Sequence, residues 1–143
     1  MKRNLTSASI CAKEIRQFLK ENFPKAKFNV RSENFAGGDS VYIDFTDSPY
    51  LYEEVREAVK KFQYGHFNSM TDSYEYDNAI EGITQVKFIL VKRDFSDEVK
   101  QRITKELNER FRTNYKYEDY NDYLGNYMSV CVRRECSKQR FEN

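Results

Sequence analysis

A two-layer α+β domain is the fold this sequence predicts, on three observations. Apolar side chains recur at helical spacing in three segments, and period-two alternation marks four others. The two patterns interleave as α-β-β-α-β-α-β, without the regular β-α repeat of a doubly wound sheet. At 143 residues the chain fits one domain, residues 1 to 143, with a single core. The expected sheet has about four strands, mixed or antiparallel, with about three helices mostly on one face.

Thr6, Ser7 and Ser9 offer helix caps. Ile10, Glu14, Ile15, Phe18 and Leu19 then put apolar side chains mainly on one face before Pro24, predicting a helix over about residues 7 to 22. Phe28 and Val30 alternate with Asn29 and Arg31, and Val41, Ile43 and Phe45 alternate with Tyr42 and Asp44, giving two strands. Between them Gly37 and Gly38 suit a hairpin turn; a phosphate cradle would instead join a strand to a helix. Asp47 or Ser48 caps a second helix with Pro49 in its first turn and Leu51, Val55, Ala58, Val59 and Phe62 as its core stripe. Ile83 to Val91 reads as an inner strand, with Val86, Phe88 and Leu90 on one face and Ile89 and Val91 making the other partly apolar as well. Ser96 caps the third helix, in which Val99, Ile103, Leu107 and Phe111 repeat every four residues. A tyrosine-rich ordered connection follows, broken at Gly125. Met128, Val130 and Val132 then alternate as a final strand, and residues 134 to 143 form a frayed basic tail.

The stretch Gly65 to Asn78 has neither period. It places Phe67, Met70, Tyr74 and Tyr76 among acids, with four acids and no Lys or Arg from Asp72 to Glu81. It is expected to be an ordered loop pinned through Phe67, Met70 and one face of its tyrosines, serving as a contact surface or as a plug over the sheet end. Its protein-binding candidates are His66, Asp72, Tyr74, Glu75, Tyr76 and Asp77.

Within the chain, Phe28-Asn29-Val30-Arg31-Ser32, Gly37-Gly38-Asp39-Ser40, Asp47 ahead of a helix, and Met70-Thr71-Asp72-Ser73-Tyr74-Glu75-Tyr76 resemble the large polyvalent protein associated domain 29. The resemblance extends over about residues 27 to 111, and the Met-Thr-Asp-Ser-Tyr-Glu-Tyr run is its most specific part. It implies a small α+β module of phages and conjugative elements. No catalytic residue comes with it.

Twenty-four basic and 23 acidic residues leave a net charge of +1, which argues against a uniformly basic nucleic-acid binder and against an acidic DNA mimic. Cys11, Cys131 and Cys136 lack paired spacing, so reduced thiols in a cytoplasmic protein are expected. No segment is apolar enough to span a membrane. With one histidine, His66, neither a multi-histidine metal site nor a convincing nucleophile pair can be assembled, so no metal, cofactor or catalytic residue is assigned. The favoured function is a non-catalytic interaction module of a mobile genetic element, suited to counter-defence or to assisting DNA transfer, with a protein of host or element as partner. The alternative is a nucleic-acid-binding accessory protein using Lys92, Arg93, Arg133, Arg134, Lys138 and Arg140, with Lys2 and Arg3 beside them. An enzyme is the least favoured class.

Overall fold

The computed structural model describes residues 6–141. Helix α1 spans Ser7–Asn22, where the Thr6 hydroxyl accepts the Ser9 N–H at 3.2 Å as its cap. Ala8, Cys11, Ala12, Ile15 and Leu19 are its buried face. Ile10, expected in that stripe, is on the exposed side; a face built on two alanines and a cysteine lets the helix sit close to the sheet.

Strands β1 (Phe28–Phe35) and β2 (Gly38–Thr46) form the expected hairpin, in register Phe28↔Phe45 through Phe35↔Gly38. Gly37 turns it with φ of +94°, a conformation open to glycine at no steric cost. Helix α2 covers Tyr52–Val59 and runs into a 3-10 turn at Lys60–Phe62. It starts later than expected because its presumed caps are engaged elsewhere. Ser48 Oγ accepts the Tyr50 N–H at 2.9 Å, and Asp47, at φ 49°, accepts the Ser96 N–H at 2.8 Å.

After the short strands β3 (His66–Asn68) and β4 (Ser73–Glu75), strand β5 (Phe88–Asp94) pairs in parallel with β2, so the sheet order is β1-β2-β5. This corrects the inner-strand expectation: β5 is an edge, and it begins only at Phe88. Of its two apolar faces, the one bearing Ile89 and Val91 turns inward. Ile89 and Val91 lie in register with Val41 and Ile43 and pack on the core, whereas Leu90 is 47% exposed. A run that is apolar on both faces carries no parity signal of its own, so pairing with β2 decides which face turns inward.

Helix α3 (Asp97–Phe111) forms behind its Ser96 cap as expected and ends at Arg112, φ 54°. Beyond it, β6 (Tyr120–Asn121) and β7 (Asn126–Tyr127) make a small ribbon turned at Gly125. The expected final strand is a fourth helix, α4 (Met128–Lys138). Met128 and Val132 satisfy period two and period four alike, and Cys136 completes a four-residue spacing that packs against Val99, Ile103 and Leu107 of α3. Nor does the tail fray through residue 141: Phe141 is 5% exposed and its N–H reaches the Ser48 carbonyl at 3.1 Å. Among the described residues the fold is thus α+β with four helices, one mixed three-stranded sheet and two small ribbons, the Gly65 to Asn78 stretch being in part β-hairpin.

Among the described residues, buried apolar side chains fall into two clusters. One joins α1, α2 and a single face of the sheet; the other joins α3, α4 and Phe141. Arg93 holds the seam between them, its guanidinium donating to the carbonyls of Ser48 (2.9 Å), Gln139 (2.6 Å) and Ser137 (3.3 Å). Among the described residues no helix is long and apolar enough to cross a membrane.

Candidate functional site

Three cross-strand pairs, His66↔Glu75, Phe67↔Tyr74 and Asn68↔Ser73, build the β3–β4 hairpin. Its turn is organised by side chains. Asn68 Oδ1 accepts the Met70 N–H at 3.0 Å, and Asp72 takes a left-handed φ of 51°. The hairpin is fastened to the sheet through Tyr74, whose hydroxyl donates to the Lys87 carbonyl at 2.6 Å and whose ring meets Phe88 edge-on at 5.4 Å. Tyr64 and Tyr76 extend this aromatic group, stacked at 5.5 Å with both rings against Tyr74. Burial pushes the Tyr74 hydroxyl up to about 12, with the neighbouring tyrosines and Asp77 adding to the rise. Gly65 makes the close approach possible, because a Cβ there would overlap the Glu75 carbonyl oxygen.

The expectation that Phe67 and Met70 pin this stretch is overturned: they are 52% and 95% exposed. Phe67 is the direct cross-strand partner of Tyr74, but the contacts to the sheet are made by Tyr74. Tyr74 on β4 makes the attachment, while Phe67 on β3 stays half in solvent and Met70 in the turn almost wholly so. Of the candidate residues here, His66, Glu75 and Asp77 converge. His66 Nε2 lies 3.2 Å from Glu75 Oε2 and Nδ1 lies 3.0 Å from Asp77 Oδ2, so an imidazole carrying both hydrogens would donate to both carboxylates. One ligand atom from each of the three also falls within 4.8 Å of the others. Asp72 stays apart at the exposed turn.

Beside this trio opens a cleft of about 530 Å³. It is lined by His66 and Asp77 from the hairpin and its exit, by Arg56 of α2 and Lys60 of the 3-10 turn after it, and by Ile89 and Val91 of β5. The sequence reading missed Arg56, Lys60 and Gln63. Their only signal was adjacency to the hairpin, which says nothing until the chain turns back at Gly65.

The family model of the large polyvalent protein associated domain 29 matches residues 6–96, well over half of the chain. The chain belongs to that family. No curated protein and no solved structure matches. The match begins at the cap of α1 and stops at the cap of α3, whereas the resemblance seen in the motifs ran from 27 to 111. The family domain therefore contains the whole first core cluster, the hairpin and the cleft, and the α3–α4 cluster lies outside it.

The basic candidates occupy several places around this domain. Lys92 pairs with Asp94 at 3.6 Å, and Arg133 donates to the Tyr117 hydroxyl at 3.4 Å. Arg140 meets Glu54 at 2.5 Å, and Arg93 is committed to the carbonyl cluster at the seam, where burial lowers its pKa. Arg134 and Lys138 are exposed on α4. Lys2 and Arg3 lie outside the described residues. All three cysteines are free, and burial pushes the Cys11 thiol up to about 12.

Proposed function

We propose that this protein is a non-catalytic interaction module of a phage or other mobile genetic element, binding a protein partner through the β3–β4 hairpin and the cleft the hairpin borders. The observation that carries this reading is the outward presentation of Met70, 95% exposed, and Phe67, 52% exposed, on a hairpin fixed by Tyr74 and Gly65. Large apolar side chains held in water on an ordered element suit burial against a partner. Asp72 at the turn would steer a basic partner surface, and Tyr76 offers contact area at low entropic cost. Within an element carried with mobile DNA, such a contact fits counter-defence or assistance to DNA transfer.

The nucleic-acid reading has less support, because Lys92, Arg93, Arg133 and Arg140 already have partners within the chain. Site-specific photo-crosslinking separates the two. A crosslinking residue at position 70 is expected to give protein adducts that the same residue at Lys105, exposed on α3, does not give. Equal adducts from both positions, or adducts with nucleic acid alone, would remove the hairpin from the function.

A further inference from the structure

The sheet begins a fourth strand at its β5 edge and abandons it. Ahead of β5, Val86 is paired in parallel with Gln63, its N–H reaching the Phe62 carbonyl at 2.9 Å and its carbonyl accepting from Tyr64 at 3.1 Å. At Gly65 the covering segment turns away into the hairpin. One residue on β5 still receives a substitute, since the Gln63 side-chain amide accepts the Ile89 N–H at 2.7 Å in place of a backbone carbonyl. Beyond that point the cover ends.

Parallel pairing fixes where the next backbone groups point. The Asp94 carbonyl accepts from Asp47, which continues β2, so even-numbered β5 residues face β2 and odd-numbered ones face outward. The Ile89 carbonyl and both backbone groups of Val91 therefore lie on the free edge, and among the described residues none has an outward partner. Ile89 and Val91 line the cleft, with Val59 beside them and Arg56 and Lys60 exposed along its helical wall.

We propose that this edge takes up an extended segment of a partner protein, which pairs with β5 at Val91 and carries an acidic side chain to Arg56 and Lys60. The inference rests on the protein-binding reading above and specifies the form of the partner. An extended backbone supplies donors and acceptors at strand spacing, and the two cations select for acid. Lys60 has no carboxylate partner among the described residues, and Arg56 shares only the exposed Glu53 at 3.6 Å. Asp77, which also lines the cleft, is occupied by His66.

The test uses the full chain and a displayed library of random dodecapeptides, counter-selected against Val91→Pro. Proline there removes one outward N–H and no bond to β2, and edge strands tolerate it. Enriched peptides are expected to combine β-branched residues with Asp or Glu. As synthetic peptides they should lose affinity about tenfold or more on N-methylation of alternate amides, and again on Val91→Pro. The pair Arg56→Glu and Lys60→Glu, exposed and away from the core, repeats the charge test without touching the strand. Overturning results would be no enrichment over the proline decoy, binders indifferent to N-methylation, or binders mapping to the hairpin tip. Self-association of the chain through β5 would likewise overturn the partner assignment. Crosslinks at position 70 without groove-binding peptides would sink the strand pairing and leave the hairpin reading standing; groove binders without such crosslinks would support the pairing and remove the tip.

Discussion

Gly65→Ala is the substitution that most directly probes how the hairpin is held. The new Cβ would overlap the Glu75 carbonyl oxygen and sit 2.5 Å from Cε1 and 2.9 Å from Cζ of the Tyr74 ring. Backbone cannot rotate out of the way as a flexible side chain can, so β4 must move off Gly65 and carry Tyr74 with it. Forced overpacking of this kind costs about 1–3 kcal/mol. Pulling the Tyr74 hydroxyl from the Lys87 carbonyl removes about 1 kcal/mol more. The hairpin can also undock as a unit, which caps the loss at the energy of its attachment, so a decrease of about 2–3 kcal/mol is expected. With a urea slope of about 2 kcal/mol per molar, the unfolding midpoint should fall by about 1 M or slightly more. Amide exchange at Ser73, Tyr74 and Glu75 should accelerate beyond that at Val41 and Ile43, because the strain is local. An unchanged midpoint together with unchanged protection of Tyr74 would refute the claim that β4 rests directly on Gly65.

Met70→Ala should leave the urea midpoint within about 0.5 kcal/mol of wild type, since the side chain is 95% exposed; a loss of several kcal/mol would show that it packs after all. Phe141→Ala empties a site only 5% exposed between α3, α4 and the seam, and should destabilise by about 3 kcal/mol, read by chemical denaturation. A smaller loss, under about 1 kcal/mol, would return the tail to a frayed state. The Glu54 carboxyl is held below its ordinary 4.5, first by the hydrogen bond from the Leu51 N–H and then by Arg140, against the opposing effect of burial. Because the folded-state value is depressed, its stabilisation is present above 4.5 and lost as pH falls through the folded value. Thermal midpoints of wild type should therefore drop more steeply below pH 4.5 than those of Glu54→Gln; parallel curves would contradict it.

Local signals sufficed wherever a segment carried its own start, period and stop. Thr6 and Pro24 bracket α1, Gly37 turns the β1–β2 hairpin, and Ser96 begins α3, all as their residues foretell. The family was legible for the same reason: its motifs are contiguous, and the chain matches it over residues 6–96. The errors fall where one pattern satisfies two structures. Met128 to Val132 alternates as a strand would, yet becomes helix because α3 offers an apolar face at four-residue spacing. Ile83 to Val91 could turn either face inward until β2 fixed the register, and β5 became an edge because among the described residues no backbone pairs beyond it after Tyr64. The candidate site divides in the same way. Sequence alone placed His66, Tyr74, Glu75, Tyr76 and Asp77 together, since they sit within one short stretch. That Tyr74 turns inward and Met70 outward, and that Arg56 of α2 and Lys60 just after it line one cleft with His66, Asp77 and the β5 edge residues, was decided by tertiary contact. A residue's neighbours across space depend on which backbone groups find partners, and that choice is made by the whole fold.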